Sequence, residues 1–261
     1  MYIMLIPSKF LKIFYNALLF GMPGIMNNPY NKNVLHSPFC VKEYSTYINY
    51  RLDNNQMNRL KDYLKEKTNN LYIQDTSILE DTNKEYFLSI NIYNCSSPIF
   101  EVVTKGSEGS TRCEINTYVV DENNQKGTLI MDYTSDILSL DPDNLFKKPG
   151  IINFKKDSNI MSGYAYNKNF NLVFDYDMLN NIKIHKLSSS LIKYTDKIFY
   201  NNGLYDKLYY DSSLIHNKII ECLNNNINFQ FLDMDFKNIH SVFYFEKEID
   251  FVGGMWYNLY N

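Results

Sequence analysis

The strongest constraint on the fold is a succession of strand-like segments that runs through most of the chain. Over residues 43–52 apolar and polar side chains alternate, with Ile48 and Tyr50 on one face and Tyr47 and Asn49 on the other. The 23 tyrosines and 17 phenylalanines suit half-buried sheet surfaces better than they suit loops. The pattern therefore predicts a protein built mainly from antiparallel β-strands.

Further strands are predicted wherever a short apolar or alternating run is bounded by Gly, Pro, Asn or Asp. They cover residues 86–95, 112–121, 127–134, 160–166, 170–176, 182–187, 205–210, 228–231, 241–245 and 250–257. Polar turns at 122–126 and 167–169 join two pairs of them into hairpins. So many strands without an interrupting linker favour a closed or nearly closed barrel, because closure leaves no exposed sheet edge.

Helices are predicted at only a few places. Asp53 is a suitable N-cap for a helix whose buried stripe is Met57, Leu60 and Leu64. A short helix is predicted from Asp141-Pro142 to about Lys148, and another over residues 213–223. These helices would lie at the periphery of the sheet.

The first 24 residues carry a different pattern from the rest. Apolar residues recur at helical spacing between Phe10 and Leu18, while Pro7, Lys9 and Lys12 interrupt the apolar run. This predicts an amphipathic helix over residues 1–24, followed by a single barrel domain over residues 25–261. Neither a signal peptide nor a transmembrane helix fits the segment.

Net charge argues against nucleic acid as a partner. The formal charge is −3 and the lysines are scattered, so the chain has no basic stripe that would follow a phosphate backbone. Runs such as residues 224–226, which are all Asn, are typical of an AT-rich genome and carry no chemistry. A small molecule is the expected partner, and the sequence leaves open whether the chain forms a homo-oligomer.

Cysteine and histidine spacing predicts no metal site. The four cysteines are widely separated, with no CxxC pair, and the four histidines show no HxH or HxxxH spacing. Reduced, partly buried thiols and a cytoplasmic location are expected.

Three segments between roughly residues 41 and 176 resemble the acetoacetate decarboxylase superfamily. The first is Lys42-Glu43-Tyr44, a strand, and then Tyr50-Arg51-Leu52-Asp53 before a helix. The second is the strand Thr111–Val119, which includes Glu114, and the third is Leu145–Gly150 ahead of the hairpin strand with Ser162-Gly163. The resemblance implies an α+β fold, mainly antiparallel, with an acetoacetate decarboxylase-like barrel and a few peripheral helices.

The resemblance also implies a set of site residues. Lys147 would be the Schiff-base nucleophile, Lys148 the neighbouring cation and Glu114 the proton-handling carboxylate, while Lys42 and Arg51 would bind the substrate. Burial beside a second cation lowers the pKa of a lysine, so that its neutral amine can attack a ketone. The implied activity is that of a lyase acting on a small keto acid or related carbonyl compound, and no cofactor is needed because the iminium is the electron sink.

The chain also departs from the family pattern, and other functions stay open. Lys42 stands where the family has arginine, and Leu88-Ser89-Ile90 lacks a glutamate that the family carries. Lys147 and Lys148 also suit an exposed helix C-terminus, where cations are common. The alternatives are therefore a catalytically inactive barrel that binds a small apolar ligand, or a structural or interaction protein.

Overall fold

Two β-sheets and two helices make up the part of the chain that the structure describes. The structure is a computed structural model, and it describes residues 40–67, 70–80, 82–96, 110–135, 151–177, 184–185, 187–194, 198–200, 205–206, 208–209, 219–221, 225–245 and 249–253. The strands are β1 (Cys40–Arg51), β2 (Leu71–Ile73), β3 (Phe87–Ser96), β4 (Ser110–Asp121), β5 (Lys126–Ser135), β6 (Ile151–Asp157), β7 (Ile160–Tyr166), β8 (Phe170–Asp177), β9 (Ile184–His185), β10 (Ile198–Tyr200), β11 (Tyr205–Asp206), β12 (Leu208–Tyr209), β13 (Ile219–Glu221), β14 (Asn225–Phe231), β15 (Met234–Phe236), β16 (Ile239–Phe245) and β17 (Ile249–Gly253). The helices are α1 (Asn54–Lys67) and α2 (Ser189–Ile192).

The larger sheet is centred on strand β1. Its strands follow the order β11-β10-β5-β4-β3-β1-β16-β13-β9, with β2 on β4 and with β17 on β1 and β12. All of these pairs are antiparallel except β10 with β5. Within the described residues the pairing does not return from β9 to β11, so this part of the chain shows an open sheet of mostly antiparallel strands.

The smaller sheet covers one face of the larger one. Its order is β15-β14-β8-β7-β6, and its buried residues form one apolar cluster with alternate residues of β1, β3, β4, β5 and β16. Neighbouring groups approach β7 closely at Gly163, because a Cβ there would sit 2.6 Å from the backbone oxygen of Asn153 and 2.8 Å from the ring of Phe174. A glycine is therefore required at this point of the core.

Helix α1 packs on the edge of the same apolar cluster. A reciprocal pair of hydrogen bonds caps it, since the backbone N–H of Gln56 donates to Asp53 Oδ1 at 2.8 Å and the Asp53 N–H donates to Gln56 Oε1 at 3.1 Å. Met57, Leu60 and Leu64 are buried, as the sequence predicts.

A second apolar cluster lies on the opposite face of the large sheet, at one end. It joins Phe87, Tyr118 and Phe243 of the sheet to Ile78, Leu79, Leu187, Leu191 and Tyr194 of the segments that cross it. Ser188 caps α2, accepting a hydrogen bond from the N–H of Leu191 at 3.0 Å. The residues around 74–80 and 187–194 thus cover this end of the sheet.

Asp132 ties the two sheets together. It is a buried carboxylate on β5 that accepts hydrogen bonds from the side chains of Asn167 and Asn169, in the turn between β7 and β8. Asp132 Oδ1, which accepts the bond from Asn167, also accepts a hydrogen bond of 2.8 Å from the backbone N–H of Tyr133. A buried carboxylate needs several donors, and the turn supplies them.

Most of the sequence-based strand predictions are confirmed, and the exceptions have physical causes. Strand β6 was not predicted, because its apolar residues are followed by Lys155, Lys156 and Asp157, which lie exposed in the strand. The helix predicted over 213–223 is wrong at Ile219–Glu221, where pairing with β16 and β9 holds the chain extended. The helices predicted for 1–24 and 141–148 lie outside the described residues and stay predictions.

No helix in the described part of the chain is both long enough and apolar enough to cross a membrane.

Candidate functional site

The candidate site is a set of polar side chains on one face of strands β1, β3 and β4. This polar face is the face opposite the smaller sheet, beyond the end that the second apolar cluster covers. Cross-strand pairing aligns its residues in three rows. The rows are Ser45 with Tyr93 and Arg112, Tyr47 with Asn91 and Glu114, and Asn49 with Ser89 and Asn116.

One row forms a chain of hydrogen bonds that leads to the second apolar cluster. Ser89 donates to Asn49 Oδ1 at 2.6 Å, and Asn49 Nδ2 lies 3.2 Å from Ser241 Oγ. The hydroxyl of Tyr118 lies 3.1 Å from Ser89 Oγ. Burial raises the pKa of Tyr118, and the nearby Tyr47 raises it further, while the hydrogen bond to Ser89 opposes this shift. Tyr118 is therefore a neutral hydroxyl at physiological pH.

Glu114 is held in place by a tyrosine. The hydroxyl of Tyr93 donates to Glu114 Oε1 at 2.6 Å, which is a short, charge-assisted hydrogen bond. Tyr93 is buried and Glu114 is half-buried, so the carboxylate is fixed in direction while part of it stays accessible. Arg112 lies two residues earlier on the same strand, directly across from Tyr93 and only 4% exposed. These two adjoining rows therefore set a cation and an anion close together.

Asn91 occupies the centre of the polar face. It is paired across the sheet with Tyr47 on one side and with Glu114 on the other, and it is 0% exposed. Neither its Nδ2 nor its Oδ1 makes a hydrogen bond to any group in the described part of the protein, and the same holds for Ser45 Oγ and Asn116 Oδ1. Buried polar groups without partners are uncommon, and each one calls for an explanation, of which a ligand site is one.

Two residues that the resemblance assigns to substrate binding lie far apart along one strand. Lys42 and Arg51 lie near opposite ends of β1, about 30 Å apart at the usual rise of a strand. Lys42 is paired with Cys95 of β3 and Ile249 of β17. The guanidinium Nε of Arg51 forms an ion pair of 2.7 Å with Glu85, and both side chains are near 40% exposed.

The remaining predicted residues divide into two groups. Glu114 lies on the polar face in the same row as Asn91, as its place on β4 requires. Lys147 and Lys148 lie outside the described residues. Arg51 is two rows away from Glu114 along the sheet, and the substrate-binding roles of Lys42 and Arg51 stay predictions.

The described residues contain no group of three or more His, Cys, Asp or Glu side chains that could hold a metal ion. Asp233 lies in the turn between β14 and β15 with a φ of 58°, and Asp235 is exposed on β15.

Cys113 is a free, buried thiol, and burial, Glu114 and Asp132 together raise its pKa well above the usual value. It is an unreactive core residue rather than a nucleophile.

Sequence reasoning missed Asn91, Tyr93 and Ser45. A signal was present, since β3 reads Leu-Ser-Ile-Asn-Ile-Tyr and polar side chains therefore alternate with large aliphatic ones. If such a strand is buried on both faces, its polar side faces a site rather than solvent. Burial on both faces was not predictable, because an alternating strand usually has one face in water.

Comparison with solved structures identifies the fold. The chain matches an acetoacetate decarboxylase-like enzyme from Sphingomonas wittichii RW1 with a TM-score of 0.52 and 9% sequence identity, over 82% of this chain and 90% of that chain. The chain thus has an acetoacetate decarboxylase-like fold, as the sequence resemblance predicted.

Two further matches are the enduracididine biosynthesis enzyme MppR with HEPES buffer bound and the same enzyme complexed with pyruvate. Both matches have a TM-score of 0.48 and 8% sequence identity. The HEPES-bound structure matches over 83% of this chain and 84% of that chain, and the pyruvate complex over 86% of this chain and 92% of that chain. No protein-family model matches the chain, and no curated protein matches it.

Proposed function

We propose that the polar face binds a small carbonyl compound and that Lys147 forms a Schiff base with it. The observation that carries this proposal is the buried polar cluster around Asn91 and Glu114 on a fold that is acetoacetate decarboxylase-like. Residues that are buried only for packing are mostly apolar, as they are on the opposite face of the same strands.

The proposed reaction begins with attack of a neutral lysine amine on the substrate carbonyl carbon. The C–N bond forms as the C=O π bond breaks, and loss of one water gives the iminium. Glu114 has a fixed direction because Tyr93 donates to one of its oxygens, so the other oxygen is available to take or return a proton during this dehydration. Lys148 would disfavour the charged form of Lys147 by repulsion.

Closure of the large sheet into a barrel belongs to the same proposal. The polar face lies on the central strands β1, β3 and β4, and in a closed barrel it would line an interior that excludes water. Exclusion of water would lower the pKa of a lysine in the interior and protect an iminium from hydrolysis. The substrate-binding roles predicted for Lys42 and Arg51 are not part of the proposed centre.

A small apolar ligand is a poorer fit to this face. It would leave the amide of Asn91 and the hydroxyl of Ser45 without hydrogen bonds, and each such group costs about 1–3 kcal/mol when buried. A role in protein interaction rests on different residues, the exposed Tyr164 and Tyr166 of the smaller sheet. Neither alternative accounts for the polar face.

Borohydride trapping tests the proposal directly. The protein is incubated with a panel of small keto acids and ketones, reduced with borohydride, and mapped by intact mass and peptide mass spectrometry. We expect a substrate-dependent secondary amine on Lys147 that is absent from Lys147→Ala. Lys155→Ala is the matched control, because Lys155 is an exposed lysine on β6 and should leave the adduct unchanged.

A second variant tests the role of Glu114. Glu114→Gln keeps an oxygen for the Tyr93 hydroxyl but removes the base, so trapping should slow by about 100-fold. If the folded protein yields no adduct with any compound of the panel, the Schiff-base proposal is wrong and the non-catalytic binding protein becomes the better description.

A further inference from the structure

The side chain of Asn91 defines what the ligand must present. A carboxamide has two N–H donors and one oxygen acceptor in a single plane. At Asn91 this whole set is buried, and none of it is used by another group of the described chain. A partner that satisfies Asn91 must therefore offer an acceptor and a donor side by side.

Two neighbours of Asn91 extend this requirement. Ser45 Oγ and Asn116 Oδ1 are also buried without a hydrogen-bond partner, and they lie diagonally across from Asn91 on β1 and β4. Diagonal neighbours on adjacent strands are about 7–8 Å apart, which is the span of a molecule of five or six heavy atoms. The cluster as a whole offers both donors and acceptors.

A carboxylate is a poor match to this cluster. It has acceptor oxygens only, so it would satisfy Asn91 Nδ2 and leave Asn91 Oδ1 facing a lone pair. Glu114 is the direct cross-strand neighbour of Asn91, and a second anion beside it would be repelled. Arg112 balances Glu114 in the adjoining row, so the described residues around Asn91 carry no net charge to attract an anion.

A carboxamide is a good match for a simple geometric reason. Two amides can form a pair of parallel hydrogen bonds, N–H to O in both directions. This pairing is available in either orientation of the Asn91 side chain, because rotation by 180° exchanges donor and acceptor together.

We infer that the polar face selects a neutral keto amide, whose carboxamide pairs with Asn91, over the corresponding keto acid. This inference rests on the proposed function, in that it takes the polar face as the ligand site. It goes further by naming the substrate class and the residue that selects it. Asn91 is a binding residue in this account, while Glu114 and Lys147 keep the roles proposed above.

A pair of matched ligands tests the inference on the unmodified, full-length chain. Levulinamide and levulinate carry the same ketone and differ only in carboxamide against carboxylate, and neither loses carbon dioxide readily. Their dissociation constants are measured by isothermal titration calorimetry at neutral pH. We expect levulinamide to bind at least about tenfold more tightly, because a site built for a paired donor and acceptor discriminates strongly against a group that cannot pair.

Variants locate the origin of the preference. Asn91→Leu has a similar volume and no hydrogen-bonding groups, so the two ligands should then bind within about threefold of each other. Asn228→Leu makes the same change on an exposed position of β14 and should keep the full preference. Circular dichroism establishes that each variant is folded.

Several results would overturn the inference. These are levulinate binding as tightly as levulinamide to the unmodified chain, a preference that persists in Asn91→Leu, or binding of neither ligand to the folded protein. Failure of the proposed chemistry is distinguishable: preferential binding of levulinamide without a borohydride adduct on Lys147 would refute the Schiff base and support the inference. A borohydride adduct on Lys147 without preferential binding of levulinamide would support the Schiff base and refute the inference.

Discussion

Strands β1, β3 and β4 have two buried faces that differ in almost every respect. Toward the smaller sheet they present Ile48, Leu88, Ile90, Ile92 and Ile115, all of which are fully buried in one apolar cluster. On the other face, the residues between these are Asn49, Ser89, Asn91, Glu114 and Asn116, of which only Glu114 is not fully buried. The same backbone thus carries an apolar core on one side, in which the Tyr50 hydroxyl has no hydrogen-bond partner within the described protein, and a partly unsatisfied polar surface on the other.

The difference teaches which face holds the protein together. Burial of aliphatic side chains stabilises by about 25 cal/mol per Å² of apolar area removed from water. A buried amide without a partner instead costs free energy. We therefore expect the apolar face to dominate stability and the polar face to be retained for function, and four measurements can break or sharpen this division.

The largest effect is expected from truncation on the apolar face. Ile90→Ala removes a fully buried side chain at the centre of the cluster and should lower the free energy of unfolding by about 2–5 kcal/mol, measured by urea denaturation. Val173→Ala is the control, since Val173 is exposed on β8 and its truncation should cost little. A loss below about 1 kcal/mol for Ile90→Ala would mean that this face is loosely packed.

Overpacking the same side should have the next largest effect. Gly163→Ala places a methyl group against a backbone oxygen and the Phe174 ring, so strands β6 to β8 must shift. We expect a loss of about 1–3 kcal/mol in the same denaturation experiment. Ser162→Ala changes the adjacent residue, which lies on the other face of β7, and should cost less than Gly163→Ala. Equal stability of the two variants would show that the sheets have room to separate.

Alkaline pH probes one tyrosine from each face. Burial raises the pKa of Tyr50 on the apolar side, and burial also raises the pKa of Tyr118 on the polar side. Above pH 10, the ordinary pKa of tyrosine, both ionise in the unfolded chain while they stay protonated in the folded one. The unfolded state is then favoured, so stability should fall as pH rises, by about 1.4 kcal/mol per pH unit for each tyrosine.

A pair of variants assigns this slope. Tyr118→Phe should remove the contribution of one tyrosine, about 1.4 kcal/mol per pH unit, from the pH dependence of stability. Tyr72→Phe, at an exposed tyrosine, should leave this pH dependence unchanged. Chemical denaturation at a series of pH values above 10 gives the slopes. If Tyr118→Phe has the same slope as the unmodified protein, Tyr118 ionises without penalty and the polar face is more open to water than its burial indicates.

The smallest effect, and one of opposite sign, is expected at Asn91. Asn91→Leu removes a buried amide that makes no hydrogen bond in the described protein, so stability should stay equal or rise by up to about 1 kcal/mol. Thermal unfolding followed by circular dichroism measures the change. A marked loss of stability would mean that the amide holds the sheet together, and the division between the two faces would fail at its centre.

The sequence predicted the strands well because each prediction needed only local alternation. Strands β3, β4, β5, β7 and β8 lie within a residue or two of the predicted bounds, and the capped helix after Asp53 is confirmed down to its buried stripe. The short strand over Ile219–Glu221 was not predictable, since it is extended only because β16 and β9 pair with it. Tertiary pairing outweighed the local helical pattern there.

The candidate site was less predictable than the fold. Glu114 was identified through a resemblance, but its partner Tyr93 is 21 residues away along the chain and meets it only through the register of β3 with β4. Arg51 was predicted to bind the substrate, and local sequence did not reveal that Glu85 lies within 2.7 Å of it. The assembled sheet determines which polar residues share a buried face, and local sequence does not.

The position of β1 has a consequence for how the chain is made. Ser45 pairs with Tyr93 on one side and with Phe245 on the other, and Phe245 leaves the ribosome about 200 residues after Ser45. At typical rates of synthesis the second partner is missing for on the order of ten seconds or more. Throughout that interval one edge of the central strand exposes unpaired N–H and C=O groups to other chains. The nascent protein is therefore expected to depend on chaperones until its last strands emerge.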